Sequence, residues 1–292
     1  MFAPHLNLVT IMWQLLYIEW DISPILFQIG RFSIRWYSIL FTIGIFPLGY
    51  LMMKSFFSVE RKDVNLLEPL LSYIFLGTLI GARLGHCLFY SPEYYFANWR
   101  SLIEILCVWK GGLASHGGAI GVLIAIWLYN HRYGKLGGFD LLWLLDRICI
   151  PACFAGCFIR LGNLMNSEIY GSVTDLPWGF IFVRNGDILP RHPTQVYESV
   201  CYLALGLLLL IIYRRKNTIL YKGGLFGVFL CLLFGARFLI EFIKLPQVSF
   251  ESNMHFNMGQ YLSLPFIGLG IVLIYLSYKW KCPLKDVIKS TE

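Results

Sequence analysis

Four arginines stand inside long apolar runs of this chain: Arg83, Arg147, Arg160 and Arg237. At bilayer depth each such charge costs about 2.5–3.5 kcal/mol even on the lenient insertion scale. A sequence holds several of them only where something negative meets them, and in lipid the nearest such chemistry is phosphate. Arginine suits that ligand because its guanidinium stays protonated and offers a planar fork of donors. In RLGNLMNSEIYG (160–171), Arg160 and Asn163 share a helix face, with Asn166 and Glu168 close behind. Glu168 reads as a group that orients Arg160 or holds a helix N-terminus. In FGARFLIEFIK (234–244), Arg237 and Glu241 are spaced i, i+4. That spacing reads either as a structural ion pair or, with Arg160 at similar depth, as half of a clamp on one phosphate.

Two histidines lie near these stretches. WKGGLASHGGAIG (109–121) sets His116 among glycines. Either it is a proton shuttle that substrate can approach closely, or it is a helix-end side chain that meets water. In PRHPTQVYE (190–198), His192 between Arg191 and Pro193 reads equally as a wall of a site or as a stiff re-entry to the membrane. Cys149, Cys153 and Cys157 recur at i, i+4, i+8, and no CxxC pair exists among the eight cysteines. Helix packing explains that stripe better than a metal or redox site.

The elements that position these residues follow from composition. The chain is 57% hydrophobic and 14% charged, against about 25% charged in soluble domains. It reads as an all-α integral membrane protein, one domain over residues 1–292. The net charge of +7 lies between apolar runs, which fits membrane orientation and not nucleic acid. A span needs about twenty apolar residues. Seven candidates result, near 35–53, 70–90, 112–130, 139–162, 196–213, 223–243 and 260–278. One set of ends carries Lys54, Arg61, Lys62, Arg132, Lys135, Arg214, Arg215, Lys216, Lys222, Lys279, Lys281, Lys285 and Lys289; the other carries only Arg100, Lys110, Arg184, Arg191 and Lys244. The positive-inside rule then puts the N-terminus outside and the C-terminus in the cytoplasm. The long loop at about 163–195 falls on the outer side. The opening MFAPHLNLVTIMWQLLYIEW has no Lys or Arg, so it reads as an interfacial helix and not a cleavable signal. Gly77, Gly81 and Gly85, with Gly117 and Gly121, have the spacing that brings helix backbones close.

These motifs resemble one family. From about Ile34 to Tyr278 the chain is similar to prolipoprotein diacylglyceryl transferases. The resemblance rests on RWYSI around Tyr37, GARLGHCLFY (81–90), GGLASHGG (111–118), RLGNLMNSEIYG (160–171), LPRHPTQVYE (189–198), Arg237 with Glu241, and MGQYLSLP (258–265). Departures are Ile159 where the family usually has Gly, Leu233 where some members have Tyr, and Lys244 where members often have Arg. The resemblance implies transfer of a diacylglyceryl group from phosphatidylglycerol to the lipobox cysteine of a preprolipoprotein. Glycerol-1-phosphate is released, at a bacterial cytoplasmic (inner) membrane. It also implies His116 as the base for the acceptor thiol, Arg160 and Arg237 as phosphate ligands, and Tyr37, Asn163 and Glu168 as positioning groups. Arg83 and His192 are lesser candidates for substrate binding, with Glu241 beside Arg237. No metal or cofactor is required, since arginine already meets the phosphate charge. An anion carrier would also suit intramembrane arginines, but such folds tend to show internal repeats, and none stands out. A purely structural assembly protein leaves the arginines unexplained.

Overall fold

A computed structural model describes residues 17–30, 32–108, 111–215, 221–245, 256–282 and 284. The chain divides into two compact units, one comprising the described residues up to Gly49 and from Ile148 onward, the other Tyr50–Arg147. Most of each unit is helical. Strand β1 (Ile18–Trp20) pairs in parallel with β4 (Phe180–Phe182), and β2 (Ile25–Ile29) forms a hairpin with β3 (Phe32–Arg35). Residues 1–16 of the expected interfacial helix lie outside the described residues, and its last part is strand β1 instead.

In the first unit, β3 runs directly into helix α1 (Trp36–Val59). A wide π-helical turn, Gly44–Leu48, interrupts α1 around Pro47. Proline has no N–H for the regular ladder, and the wide turn absorbs that loss. Helix α6 (Leu141–Met165) from Ile148 onward, α7 (Thr194–Arg214), α8 (Gly224–Glu241) and α9 (Met258–Trp280) complete the unit. Small residues set their spacing. A Cβ on Gly156 would stand 3.0 Å from the Tyr202 ring, and one on Gly227 would stand 2.8 Å from the Gly270 carbonyl oxygen. Helix α9 opens with a reciprocal capping box between Asn257 and Gln260. The Asn257 amide also donates to the Glu241 carbonyl at 3.1 Å, which ties the start of α9 to the end of α8.

The second unit contains α2 (Leu67–Phe89), the short α3 (Pro92–Tyr95) and α4 (Trp99–Glu104), and α5 (Ser115–Gly137). Helices α2 and α5 touch backbone to backbone. A methyl group on Gly81, Gly117 or Gly121 would run into the carbonyl oxygen of Gly117, Gly81 or Gly77 respectively. With lipid on the outside there is no hydrophobic drive to bring helices together, so such close van der Waals packing carries the association. At the far end of this unit the fully buried Arg147 forks onto Glu60, with Nη2 donating to Oε2 at 2.7 Å and Nε to Oε1 at 3.0 Å. Trp143 stacks under the guanidinium at 4.6 Å and donates its indole N–H to the same carboxylate.

Among the described residues, six helices are long and apolar enough to cross a membrane: Trp36–Val59, Val64–Phe89, Leu141–Met165, Thr194–Arg214, Gly224–Glu241 and Met258–Trp280. The seventh expected span, 112–130, coincides with α5, which is 23 residues long but is not among the six. Asn130, His131 and Arg132 at one end and Ser115, His116 and two glycines at the other leave only a short apolar centre.

The glycine contacts generate a contrast. Gly121→Leu is expected to lower the thermal midpoint in detergent sharply, since overpacking costs about 1–3 kcal/mol even where neighbours are free to yield. Gly268→Ala in α9, where a Cβ meets nothing within 4 Å, should be neutral or slightly stabilising, because alanine is the better helix former. Equal losses in the two variants by thermal unfolding would refute the packing account.

Candidate active site

In the first unit the polar residues gather where the C-terminal end of α6, the loop that follows it, α7 and the end of α8 come together. Arg160, one turn before the end of α6, is half-buried. Its Nε lies 3.0 Å from Glu198 Oε2 on α7, and its Nη1 donates to Asn163 Oδ1 at 3.3 Å. The Tyr202 hydroxyl, one turn beyond Glu198, is within hydrogen-bonding reach of the same guanidinium. Glu198 is fully buried and takes Lys244 Nζ on its other oxygen at 2.9 Å. Lys244 also reaches Glu241 Oε2 at 3.4 Å. Arg237 lies close enough to act on the charge of Tyr202, yet among the described residues it has no ion pair and no hydrogen-bond acceptor. Glu198 therefore faces two cations, Arg160 and Lys244, and Lys244 is shared with Glu241.

The loop after α6 is rigidly built. Asn163 and Asn166 both donate to Glu168 Oε1, at 2.7 and 3.3 Å. Ser167 and Ile169, on either side of Glu168, have φ of 52° and 60°. For a β-branched residue that is a strained conformation. It persists because Asn185 caps the Ser167 carbonyl at 2.7 Å and Thr194 caps that of Ile169 at 2.9 Å. Gly171 then pairs with Lys244 in a bridge. A Cβ there would stand 2.5 Å from the Ile243 carbonyl oxygen and 2.7 Å from His192 Cβ, so only glycine lets the loop bring Lys244 to Glu198. Tyr37 packs on Gly162, where a Cβ would come within 2.8 Å of its ring. Both Arg160 and Glu168 act on the Tyr37 hydroxyl.

His192 lies in this loop, its Nδ1 3.3 Å from the Tyr197 hydroxyl, which accepts the Trp178 indole N–H at 2.9 Å. Burial pushes the His192 pKa below the usual histidine value.

The second unit holds the other two candidates. Arg83 is 3% exposed, and every side of its guanidinium meets a main-chain carbonyl: Nε to Ile105 at 2.9 Å, Nη2 to Glu104 at 2.6 Å, and Nη1 to Gly111 at 2.5 Å and Gly112 at 3.2 Å. Gly111 and Gly112 have φ of +84° and +71°, a turn that aims both carbonyls at one nitrogen and that L side chains rarely adopt. Tyr95 stacks on the cation at 5.0 Å. Arg83 thus ties Glu104, Ile105, Gly111 and Gly112 to one cation and spends four of its five N–H groups on carbonyls. His116 is the second residue of α5; its ring is exposed and makes no hydrogen bond among the described residues.

A family model described as prolipoprotein diacylglyceryl transferase matches residues 24–276. The chain belongs to the prolipoprotein diacylglyceryl transferase family. A relative from Tolumonas auensis is 50% identical over 90% of this chain and 98% of its own length. One from Porphyromonas gingivalis is 44% identical over 90% and 95%, and one from Wolbachia pipientis is 39% identical over 88% and 95%. All three carry the name phosphatidylglycerol–prolipoprotein diacylglyceryl transferase.

Two expected pairings differ in the structure of this family member. Glu241 turns to Lys244 instead of Arg237, and Glu168 binds two asparagines while Glu198 orients Arg160. Sequence reasoning left Glu198, Lys244 and Tyr202 out of the site. Glu198 was detectable: a carboxylate in the apolar run of α7 needs a buried cation as much as the arginines need an anion.

Two outcomes follow. Arg83→Lys keeps the charge but not the four-carbonyl fit. It should lower the thermal midpoint by several degrees, given about 1.5–3 kcal/mol for each charge-assisted bond lost, with KM for lipid unchanged; a raised KM at unchanged stability would make Arg83 a ligand. For His192, the folded pKa lies below the unfolded one, so the unfolded chain binds the extra proton first. Stability should be complete above about pH 6.5 and decline as pH falls through that value. His192→Asn should flatten this decline in thermal unfolding from pH 7.5 to 5.

Proposed function

We propose that this chain transfers the diacylglyceryl group of phosphatidylglycerol to the thiol of a lipobox cysteine in preprolipoproteins, with Arg160 and Arg237 as the phosphate ligands and His116 as the base. One observation carries the assignment within the site. Of the four intramembrane arginines, Arg147 is taken by Glu60 and Arg83 by four carbonyls, while Arg160, beside Glu198 and Asn163, keeps 14% of its side chain exposed and Arg237 has no partner among the described residues. An unpaired guanidinium at span depth is stable when an anion comes to it, and the phosphodiester of an anionic lipid is such a group.

The chemistry is displacement at a lipid carbon. The thiol sulfur forms a bond to the glyceryl carbon, the carbon–oxygen bond to phosphate breaks, and the electron pair leaves on the phosphate oxygen as glycerol-1-phosphate. The thiol proton goes to His116 and from there to water or to the departing phosphate. Only the thiolate attacks well. An exposed imidazole at the start of α5, next to glycines, has the access a large peptide substrate requires. Arg160 and Arg237 meet the charge that grows on the leaving phosphate, and fixed donors of this kind are commonly the largest catalytic contribution. Asn163 holds the Arg160 fork, while Glu168 and Tyr37 shape its approach. Helix α5 packs along α2 for its length, and at about 1.5 Å rise per residue it is long enough to cross a bilayer. On that reading it is the seventh span, with the N-terminus and the 166–193 loop outside, the C-terminus in the cytoplasm, and the protein in a bacterial inner membrane.

The test uses purified protein in detergent with labelled phosphatidylglycerol and a lipobox peptide, reading glycerol phosphate release and the mass gain on cysteine. A Cys→Ser peptide should give neither. Arg160→Ala and Arg237→Ala should each lower turnover by about 10²–10³, the scale for one lost oxyanion donor. Arg160→Lys should rescue poorly, since one ammonium does not copy the fork. Near-normal turnover in His116→Gln would reassign the base. Release without peptide modification would sink the transferase reading itself.

A further inference from the structure

Arg237 and Glu241 are four residues apart on α8, the spacing at which an Arg–Glu pair normally closes, yet they do not pair. The reason is visible around Glu241. Its carboxylate is seated against Gly259 on α9, where a Cβ would stand 2.5 Å from the carboxyl carbon and 2.7 Å from each oxygen. Lys244 Nζ approaches it at 3.4 Å. The same ammonium lies 2.9 Å from Glu198 Oε1, and the Lys244 side chain is 1% exposed. Glu198 keeps its second oxygen 3.0 Å from Arg160 Nε, but no donor is aimed at that oxygen with hydrogen-bond geometry. Glu198 thus holds Arg160 by charge and not by a directed bond.

We propose that Lys244 is a positioning residue that takes Glu241 and shares Glu198 with Arg160, and so limits how far these carboxylates neutralise the two arginines that receive the lipid phosphate. The proposal rests on the reading of Arg160 and Arg237 as phosphate ligands. Without the ammonium, the full charge of Glu198 falls on Arg160. Glu241, now without its ammonium, turns to Arg237 along α8. Each carboxylate then competes with the phosphodiester for its own arginine. Gly259 serves the same end from the other side, by leaving room for Glu241 to lie toward α9. The Gly171 bridge serves it too, by fixing the backbone of Lys244. Nothing in this role touches the substrate, so its signature belongs in lipid affinity.

Lys244→Met is expected to raise KM for phosphatidylglycerol by roughly ten-fold or more, about the worth of one charge-assisted pair, with a smaller change in kcat. Adding Glu241→Gln should bring KM back toward the wild-type value, because the competitor is gone. A merely structural lysine gives the opposite: the double variant no better than the single. Lys244→Arg should keep affinity, since a guanidinium reaches both carboxylates. Gly259→Ala approaches the question in a chain that retains Lys244. It displaces the Glu241 carboxylate from its seat and should raise KM several-fold, an effect that Glu241→Gln cancels; this arm decides the matter if Lys244→Met does not fold. Loss of kcat at constant KM in Lys244→Met, or no recovery on adding Glu241→Gln in both backgrounds, overturns the proposal. Wild-type protein assayed alongside separates the two ideas: if it transfers no diacylglyceryl group, the functional reading fails, whatever the variants do.

Discussion

Charge inside a body surrounded by lipid has to be balanced, and the two units of this protein balance it in three different ways. Arg147 meets a carboxylate in a bidentate fork and is finished. Arg83 meets no carboxylate at its guanidinium; four carbonyl dipoles and an aromatic face carry its charge, and the result is a pinned loop. Around Glu198 the balance is left incomplete. Glu198 and Glu241 share Lys244, and the partnership between Arg160 and Glu198 is close without being a directed hydrogen bond. Low dielectric makes each of these arrangements stiff. The same stiffness makes the incomplete one a strong attractor for an anion.

The backbone around that cluster is shaped to keep it incomplete. Left to itself, a polar helix end relaxes until every donor finds an acceptor. Here Ser167 and Ile169 stay in left-handed conformations, flanking Glu168 and fixing it on two asparagine amides. The carbonyls of Ser167 and Ile169 are capped from Asn185 and Thr194, so the strain is sustained by the fold and not by the loop. Such over-determined backbone is characteristic of sites that must hold a geometry before the ligand arrives. Glu168 is thereby kept from pairing with Arg160.

Much of this was legible in the sequence, and what was not has identifiable physical causes. The apolar runs give the helices, because about twenty residues without charge have one destination in a membrane. The glycine spacing on α2 and α5 gives their backbone contact, since few other reasons explain glycine at every fourth position in a helix. The polar density of residues 160–171 points to the site. Pairing is harder to read. The i, i+4 rule links Arg237 to Glu241 on one helix, whereas the real partner of Glu241 comes from beyond the helix end and is steered there by Gly171 and Gly259. Strand β1 escapes a reading tuned to helices because it is three residues long and pairs with a segment far along the chain.

Lysine at position 244 shows how narrow the requirement is. A bidentate site loses its function when arginine becomes lysine, because geometry carries the interaction there. Position 244 instead asks for a single positive charge reaching two carboxylates that face it from different helices. An ammonium with three rotatable donors does this from one atom, at 2.9 and 3.4 Å. A guanidinium does it with two edges. On the proposed roles, the position accepts either cation, while Arg160 and Arg237, proposed to offer a fork to phosphate, do not. On that proposal, the two arginines and the lysine are held to different standards, set by whether the partner is a carboxylate fixed by the fold or a phosphate arriving from the lipid.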